Sequence, residues 1–251
     1  MAARNGVMAA RLAQRGFTAS VHAIDGPQGY LAVMDSEHTS LDGAVADLGT
    51  RWELLDTGVT VKLYPSCAAT HPPLDALIDL KRRERFTADQ IRAIDVEVDS
   101  MTPRLLIHPS PANGLEAKFS MPFCAAAAVV FQRIGIDTFE VGTIRNPVVQ
   151  ALMPKVALRA NEAFDRSAPL SQARVTVRTN DGQEWSQLAN GARGYPGRLT
   201  DEELEAKFAD CASRALTPQA ARAAWTALTA LERVGNVREL TALFSKEDRS
   251  A

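Results

Sequence analysis

Residues 59–80 read VTVKLYPSCAATHPPLDALIDL, and this stretch decides the fold of the central part of the chain. The β-branched residues in Val59–Lys62 predict a strand that ends before Pro65, because proline has no backbone N–H to donate to a sheet. Beyond two further prolines, which a helix tolerates only in its first turn, apolar residues recur on one helical face, as Leu74, Leu77 and Ile78. Residues 62–71 are therefore predicted to be a strand-to-helix loop.

Strand patterns lie on both sides of this loop. Ile94, Val96 and Val98 alternate with acidic residues, which predicts one half-buried strand. The turn sequence Asn180-Asp181-Gly182 separates two further strand-like runs and predicts a β-hairpin at 174–189. Two shorter strands are predicted at Val156–Arg159 and Trp52–Leu55.

Helical patterns dominate the two ends of the chain. An amphipathic helix is predicted over 2–15, and an alanine-rich run predicts a buried helix over 119–133. After the capping-box sequence that begins at Thr200, three helices are predicted near 201–214, 217–232 and 236–245. The composition therefore changes from mixed α/β to all-α near residue 200, and no internal repeat is visible.

Composition excludes several classes of protein. The 251 residues include 28 basic and 30 acidic side chains, and a net charge of −2 gives no field that would hold a nucleic acid or a membrane surface. No apolar run approaches the roughly 18 residues of a membrane span, and the N-terminus lacks the apolar core of a secretory signal. Three widely spaced cysteines encode neither a disulfide framework nor a zinc site, so we expect a cytoplasmic protein without a metal.

Lys62, Tyr64, Cys67 and His71 lie together in one ten-residue loop that leads into a helix, and this cluster has the clearest chemical potential; Lys62, Cys67 and His71 are its candidate site residues. A lysine in such a loop can bind an anionic substrate, the amides of a helix N-terminus attract carboxylate or phosphate, and either Cys67 or His71 could transfer a proton. The alternative is structural: Cys67 as a small buried side chain, His71 as a core or capping histidine and Lys62 as a solvated strand end. Spacing alone favours the structural interpretation at about two to one.

Other polar segments offer weaker signals. Glu116 and Ser120 lie in a loop that leads into a helix, where a solvated first turn is the simpler interpretation, and no nucleophile elbow is present. His22 and His38 have no carboxylates at metal-ligand spacing. The glycine-rich segment 191–197, GARGYPG, matches neither a phosphate loop nor a dinucleotide fingerprint, and we expect a hinge-like connector there.

The run Lys62–His71, followed by Leu74-Asp75-Ala76, resembles the signature of the MmgE/PrpD family, which includes 2-methylcitrate dehydratases and cis-aconitate decarboxylases. Three further stretches agree in order: LEAKFS at 115–120, Asn146-Pro147 through Lys155-Val156, and LTDEEL through Lys207-Phe208 at 199–208. The opening NGVMAARLA at 5–13, with GFT at 16–18, is similar to a helix midway along family members. The whole chain thus resembles the C-terminal half of a family member.

The resemblance implies an α+β fold in which an α+β lid domain is inserted between helical segments that belong to an all-α domain. Residues 1–56 are then a remnant of the helical domain, 57–197 the lid, and 198–251 the helices that return to the helical domain. By the family's motif, Lys62 and Cys67 are active-site candidates, and His71 matches a family histidine. The decarboxylase branch tends to carry histidine at the position of Cys67, which argues against that branch.

The implied chemistry is a cofactor-independent reaction on a di- or tricarboxylic acid, of the 2-methylcitrate dehydratase type that belongs to propionate metabolism. Abstraction of an α-proton precedes loss of water, decarboxylation or, for an isomerase, reprotonation. Lys62 would bind a substrate carboxylate, and Cys67 or His71 would move the proton. The implied partners are the carboxylic acid and a homodimer or partner chain that supplies the helical half. The alternatives are a catalytically silent truncated or split-gene subunit and a carboxylate-binding remnant.

Overall fold

The computed structural model describes residues 1–34, 46–167 and 171–244, arranged in two compact units, Met1–Gly58 and Val59–Ala251. The first unit contains helices α1 (Ala2–Gln14), α2 (Tyr30–Met34) and α3 (Glu53–Asp56). None of these three helices buries a residue. The amphipathic helix predicted over 2–15 is confirmed, whereas His38 lies outside the described residues.

The second unit is built on a four-stranded sheet. Its strands are β1 (Ile91–Val98), β2 (Val156–Ala160), β3 (Gln172–Thr179) and β4 (Glu184–Asn190), in the order β2-β1-β3-β4. Strand β1 pairs in parallel with β2 and antiparallel with β3, which forms the predicted hairpin with β4. The strand predictions at 94–98, 156–159 and 174–189 are therefore confirmed.

The two faces of the sheet differ sharply. On one face Ile94 is opposite Val177 and Val96 is opposite Val175, and all four side chains are fully buried. On the other face Asp95 receives hydrogen bonds from Arg159 and Arg178, which together outweigh the effect of burial and lower the pKa of this carboxyl. Because only one face is apolar, the sheet has helices on one side and a charged surface on the other.

Two helices cover the apolar face. Helix α4 (His71–Glu84) packs on β3 and β4, and the second, Met121–Phe131, contacts both α4 and β2. The side chains of Cys124 and of the four alanines at 125–128 are inaccessible to solvent, as the predicted buried helix requires, and their small size allows close approach. Between β1 and this second helix lie two short helices, α5 (Thr102–Leu105) and α6 (Gly114–Ala117), which makes Met121–Phe131 helix α7.

The remaining helices complete the second unit. Helices α8 (Val141–Ile144) and α9 (Pro147–Leu152) lead into β2, and the chain ends in α10 (Asp201–Ala212), α11 (Pro218–Leu228) and α12 (Val237–Ala242). Helix α10 begins with the predicted capping box at Thr200, and α10 and α11 meet through Phe208 and Trp225, whose ring centroids are 5.5 Å apart. The chain is thus a mixed α+β protein. None of the helices in its described part has the length and apolar character needed to cross a membrane.

Two strand predictions were wrong. Residues 53–56 form one helical turn, because Glu-Leu-Leu-Asp contains good helix formers and no β-branched residue. Val59–Lys62 is not a strand: the Val61 N–H donates to the Gly194 carbonyl at 2.9 Å, and no ladder of backbone pairs extends from it within the described residues. A β-branched sequence favours extended backbone, but a strand also requires a partner over several residues.

The connector at 191–197 is anchored rather than hinge-like. Gly191, Ala192 and Gly194 are buried, and a Cβ at position 194 would overlap with the Val61 carbonyl oxygen. Glycine therefore serves close backbone packing at this position. The three-part division at 56 and 197 stays a prediction.

Candidate active site

The loop that carries the predicted site residues is held by hydrogen bonds. The Ser66 and Thr70 hydroxyls are 2.7 Å apart, and the Thr70 hydroxyl donates to the Cys67 carbonyl at 2.8 Å. The Cys67 N–H donates to the Lys118 carbonyl at 2.9 Å, which ties the loop to the segment before α7. A short 3₁₀ turn at Ala68–Thr70 then leads directly into α4. The loop therefore has a defined conformation that fixes the backbone at Cys67 and His71.

His71 is the first residue of α4, and its side chain is 3% exposed. Its Nε2 atom is buried and has no hydrogen-bond partner among the described residues, and the Tyr64 ring lies edge-on to the imidazole with centroids 5.1 Å apart. Burial is the main cause that lowers the pKa of His71 to about 4; the backbone groups of Ser66 and Tyr64 oppose it, and the positive charges of Lys62 and Lys207 add to it. At neutral pH the ring is therefore neutral, and its buried Nε2 carries no proton-linked charge.

Lys62 and Cys67 are placed differently. Lys62 is exposed, and its charge acts on His71. Cys67 is half-buried and packs against the hydrophobic core. Burial raises the pKa of the nearby Cys124 thiol, and Cys67 adds to this rise. Within the described residues no hydrogen bond joins Lys62, Cys67 and His71 to one another. The structure thus brings Lys62 and His71 within electrostatic range, and places Cys67 one 3₁₀ turn before His71.

The N-terminus of α4 offers few free amides. Pro72 and Pro73 occupy the first turn after His71, and neither has an N–H. A helix N-terminus binds anions through its unpaired N–H groups, so this helix lacks two of the donors on which the sequence interpretation relied. An anion at this end of the helix would therefore have to be bound by side-chain cations.

A buried polar network beneath the loop was missed by the sequence analysis. The Tyr64 hydroxyl donates to Asp75 Oδ1 at 2.6 Å, and the Arg193 backbone N–H donates to Asp75 Oδ2 at 2.7 Å. Burial raises the pKa of Asp75, although both hydrogen bonds oppose this, and burial together with the Asp75 charge raises the pKa of Tyr64. Asp75 therefore joins the loop, α4 and the connector at one point. The only sequence signal was a carboxylate beside Leu74 on the buried face of the helix.

The Arg193 side chain extends this network to α10. Its guanidinium donates to Asp79 at 2.8 Å and to Glu203 at 2.9 Å. Burial lowers the pKa of Arg193, but these two hydrogen bonds and the nearby carboxylates outweigh it and raise the pKa overall. The connector is thereby fixed between α4 and α10.

The other sequence candidates have structural partners. Glu116 accepts hydrogen bonds from the Ala112 N–H and the Asn113 side chain, and Ser120 caps α7 by accepting from the Phe123 N–H. His22 lies in an exposed turn. Within residues 1–34, 46–167 and 171–244, no three His, Cys, Asp or Glu side chains are grouped as metal ligands.

Comparison with known proteins identifies a matching family and several similar proteins. Residues 64–233 match the model of the MmgE/PrpD C-terminal domain. A cis-aconitate decarboxylase-like protein, oryM, of Aspergillus oryzae is 25% identical over 98% of this chain and 54% of its own length. Two proteins of Aspergillus terreus named cis-aconitate decarboxylase are 24% and 23% identical, over 82% and 97% of this chain and 45% and 53% of their own lengths. The chain spans about half the length of these curated relatives. Since the family model covers most of the sequence, including the α4 helix, the sheet and the first C-terminal helices, the chain belongs to the MmgE/PrpD family.

Proposed function

We propose that this chain contributes part of the active site of a cofactor-independent lyase that acts on a di- or tricarboxylic acid. The observation that carries the proposal is the buried, neutral and unpartnered Nε2 of His71. A buried polar atom without a hydrogen-bond partner costs roughly 1–3 kcal/mol of folding stability. A substrate O–H group, or the C–H group whose proton is transferred, could be that partner. Membership of the family and the lyase names of its relatives support the same class of reaction.

In the proposed dehydration, His71 Nε2 accepts the proton α to a substrate carboxylate, since a neutral imidazole is competent as a base. The Lys62 ammonium stabilises the negative charge that develops on that carboxylate. The electron pair of the broken C–H bond forms the C=C bond as the β C–O bond breaks. The departing hydroxyl takes a proton from Cys67 and leaves as water.

Decarboxylation is the second candidate, because the three Aspergillus relatives carry the name cis-aconitate decarboxylase or a name derived from it. In this reaction the C–CO₂ bond breaks and its electron pair stays on carbon. The Cys67 thiol then donates the proton that the carbon accepts, because the His71 ring is neutral, and Lys62 holds a retained carboxylate. The presence of cysteine rather than histidine at position 67 supports the dehydratase over this alternative, on the family pattern.

The test is an assay of the purified chain with 2-methylcitrate and with cis-aconitate. Ultraviolet absorbance of a conjugated double bond reports dehydration, and released CO₂ reports decarboxylation. Lys62→Met and His71→Gln are each expected to reduce turnover by at least 10²-fold, the lower range of a general acid or base. Arg92→Met, which removes an exposed cation from β1, is the matched control. Full turnover in His71→Gln would contradict the proposed mechanism.

The partner prediction belongs to the same proposal. A homodimer or a second chain would supply the helical residues that complete the site, and light scattering after size-exclusion chromatography measures the assembly. A monomer that binds the acid without converting it would instead support the carboxylate-binding alternative, and one that neither binds nor converts it would support a silent subunit.

A further inference from the structure

A cavity of about 270 Å³ lies beside the candidate site, between α4 and α10. Ile78 and Arg82 of α4 form one wall, Lys207 of α10 forms another, and Leu63 and Tyr64 belong to the lining. Its volume is near the lower end of the roughly 300–1,000 Å³ typical of small-molecule sites. We call it the α4–α10 cavity, and it can accommodate a small organic acid or part of one.

Four cationic side chains line the α4–α10 cavity, and two of them are already neutralised. Arg193 pairs with Asp79 and Glu203, as described above. Arg133 pairs with Asp137, and its second guanidinium nitrogen lies 4.0 Å from Asp210. These pairs account for both of the acidic residues in the cavity wall.

The other two cations, Arg82 and Lys207, have no ion pair within the described ranges. Arg82 is exposed and belongs to the last turn of α4, where a basic residue also stabilises the helix dipole. Lys207 is half-buried and has no such role, because it lies in the middle of α10. The cavity therefore carries an unbalanced positive charge that favours an anion.

The cavity is also linked to His71. Tyr64 lines the cavity and lies edge-on to the His71 ring, with centroids 5.1 Å apart. The charge of Lys207 is close enough to lower the pKa of His71, as does the charge of Lys62. Two ammonium groups from distant segments of the chain thus act on the same imidazole.

We propose that the α4–α10 cavity is a second carboxylate subsite, in which Lys207 and Arg82 bind a carboxylate of the substrate other than the one held by Lys62. This inference rests on the proposed function and assigns Lys207 and Arg82 as the residues that select for a second carboxylate of its di- or tricarboxylic substrate. A monocarboxylate would occupy only the subsite at Lys62.

The experiment compares binding of tricarballylate, a stable tricarboxylate, with binding of propionate, by isothermal titration calorimetry of the full chain. Lys207→Met is expected to weaken tricarballylate binding about tenfold, which is about 1.4 kcal/mol, and to leave propionate binding unchanged. Arg82→Met is expected to act in the same direction, and Lys62→Met to weaken both ligands. Arg92→Met controls for loss of one positive charge elsewhere on the surface.

A spectroscopic measurement accompanies the binding data. Bound tricarballylate is expected to raise the pKa of His71, measured by NMR titration of the ring, because its charge offsets that of the two lysines. Lys207→Gln, with thermal melting to check folding, is expected to reduce this rise.

The outcomes separate the two proposals. If Lys207→Met matches Arg92→Met while Lys62→Met weakens binding, the second subsite is refuted and the proposed function stands. If Lys62→Met has no effect on either ligand, or tricarballylate does not bind the chain, both are refuted.

Discussion

Protonation of His71 is expected to destabilise the folded chain as the pH falls. The ring has a pKa of about 4 when folded, against an ordinary value of about 6.5. Because the folded pKa is the lower one, the unfolded chain binds more protons in this range, and stability falls as the pH decreases from 6.5 towards 4. At 1.36 kcal/mol per pKa unit the full loss is about 3 kcal/mol, of which about 2 kcal/mol develops between pH 7 and pH 5.

The assay is urea unfolding, followed by tryptophan fluorescence and far-ultraviolet circular dichroism, at several values between pH 7 and pH 5. Other groups also titrate in this range, so the informative quantity is the difference between the wild type and His71→Gln. The glutamine variant cannot acquire the charge and is expected to lose about 2 kcal/mol less than the wild type between these pH values. Equal losses in the two proteins would refute the argument that burial holds His71 neutral.

Two further substitutions test the packing around the loop. Gly194→Ala is expected to lower the melting temperature by several degrees, because its Cβ would overlap with the Val61 carbonyl oxygen. The control is Gly142→Ala, whose Cβ would have no atom within 4 Å and which is expected to leave the melting temperature unchanged or raise it. Equal changes in the two variants would contradict the close packing at Gly194. Tyr64→Phe removes a donor from the buried Asp75 carboxylate and is expected to cost about 1–3 kcal/mol in urea unfolding, and a loss below about 0.5 kcal/mol would show that this hydrogen bond is not needed.

Sequence patterns predicted those helices and strands in which the spacing of apolar residues matches the spacing of buried positions. In β1 the alternation of Ile94, Val96 and Val98 matches the buried positions, because one face of the sheet packs on helices. Val59–Lys62 has the same β-branched character, but in the described part of the chain its backbone pairs with another segment at one point, Val61 with Gly194. Propensity alone therefore could not distinguish a paired strand from a loop segment of β-branched residues.

The candidate site was predictable only where its residues are neighbours in the sequence. Lys62, Cys67 and His71 lie within one ten-residue loop, and their residue types alone suggested proton transfer and anion binding. The hydrogen bond between Arg193 and Asp75 joins residues 118 positions apart, and Lys207 reaches the same region from another helix. Without an observed tertiary contact, nothing in either segment marks it as a neighbour of the loop.

The energetics of His71 connect the fold to the proposed chemistry. A histidine kept only for packing gains nothing from a buried, unpartnered Nε2, since an apolar side chain of similar size would avoid the cost of about 1–3 kcal/mol. Around it, the loop and the Tyr64–Asp75 hydrogen bond hold a defined geometry, and the polar atoms of that network have partners. In this loop the buried polar atom without a partner is the one that a base would present to its substrate under the proposed function, and the charges of Lys62 and Lys207 would attract a carboxylate. A proton-transfer site needs such an unpartnered group even though it lowers folding stability, whereas a purely structural loop does not need one.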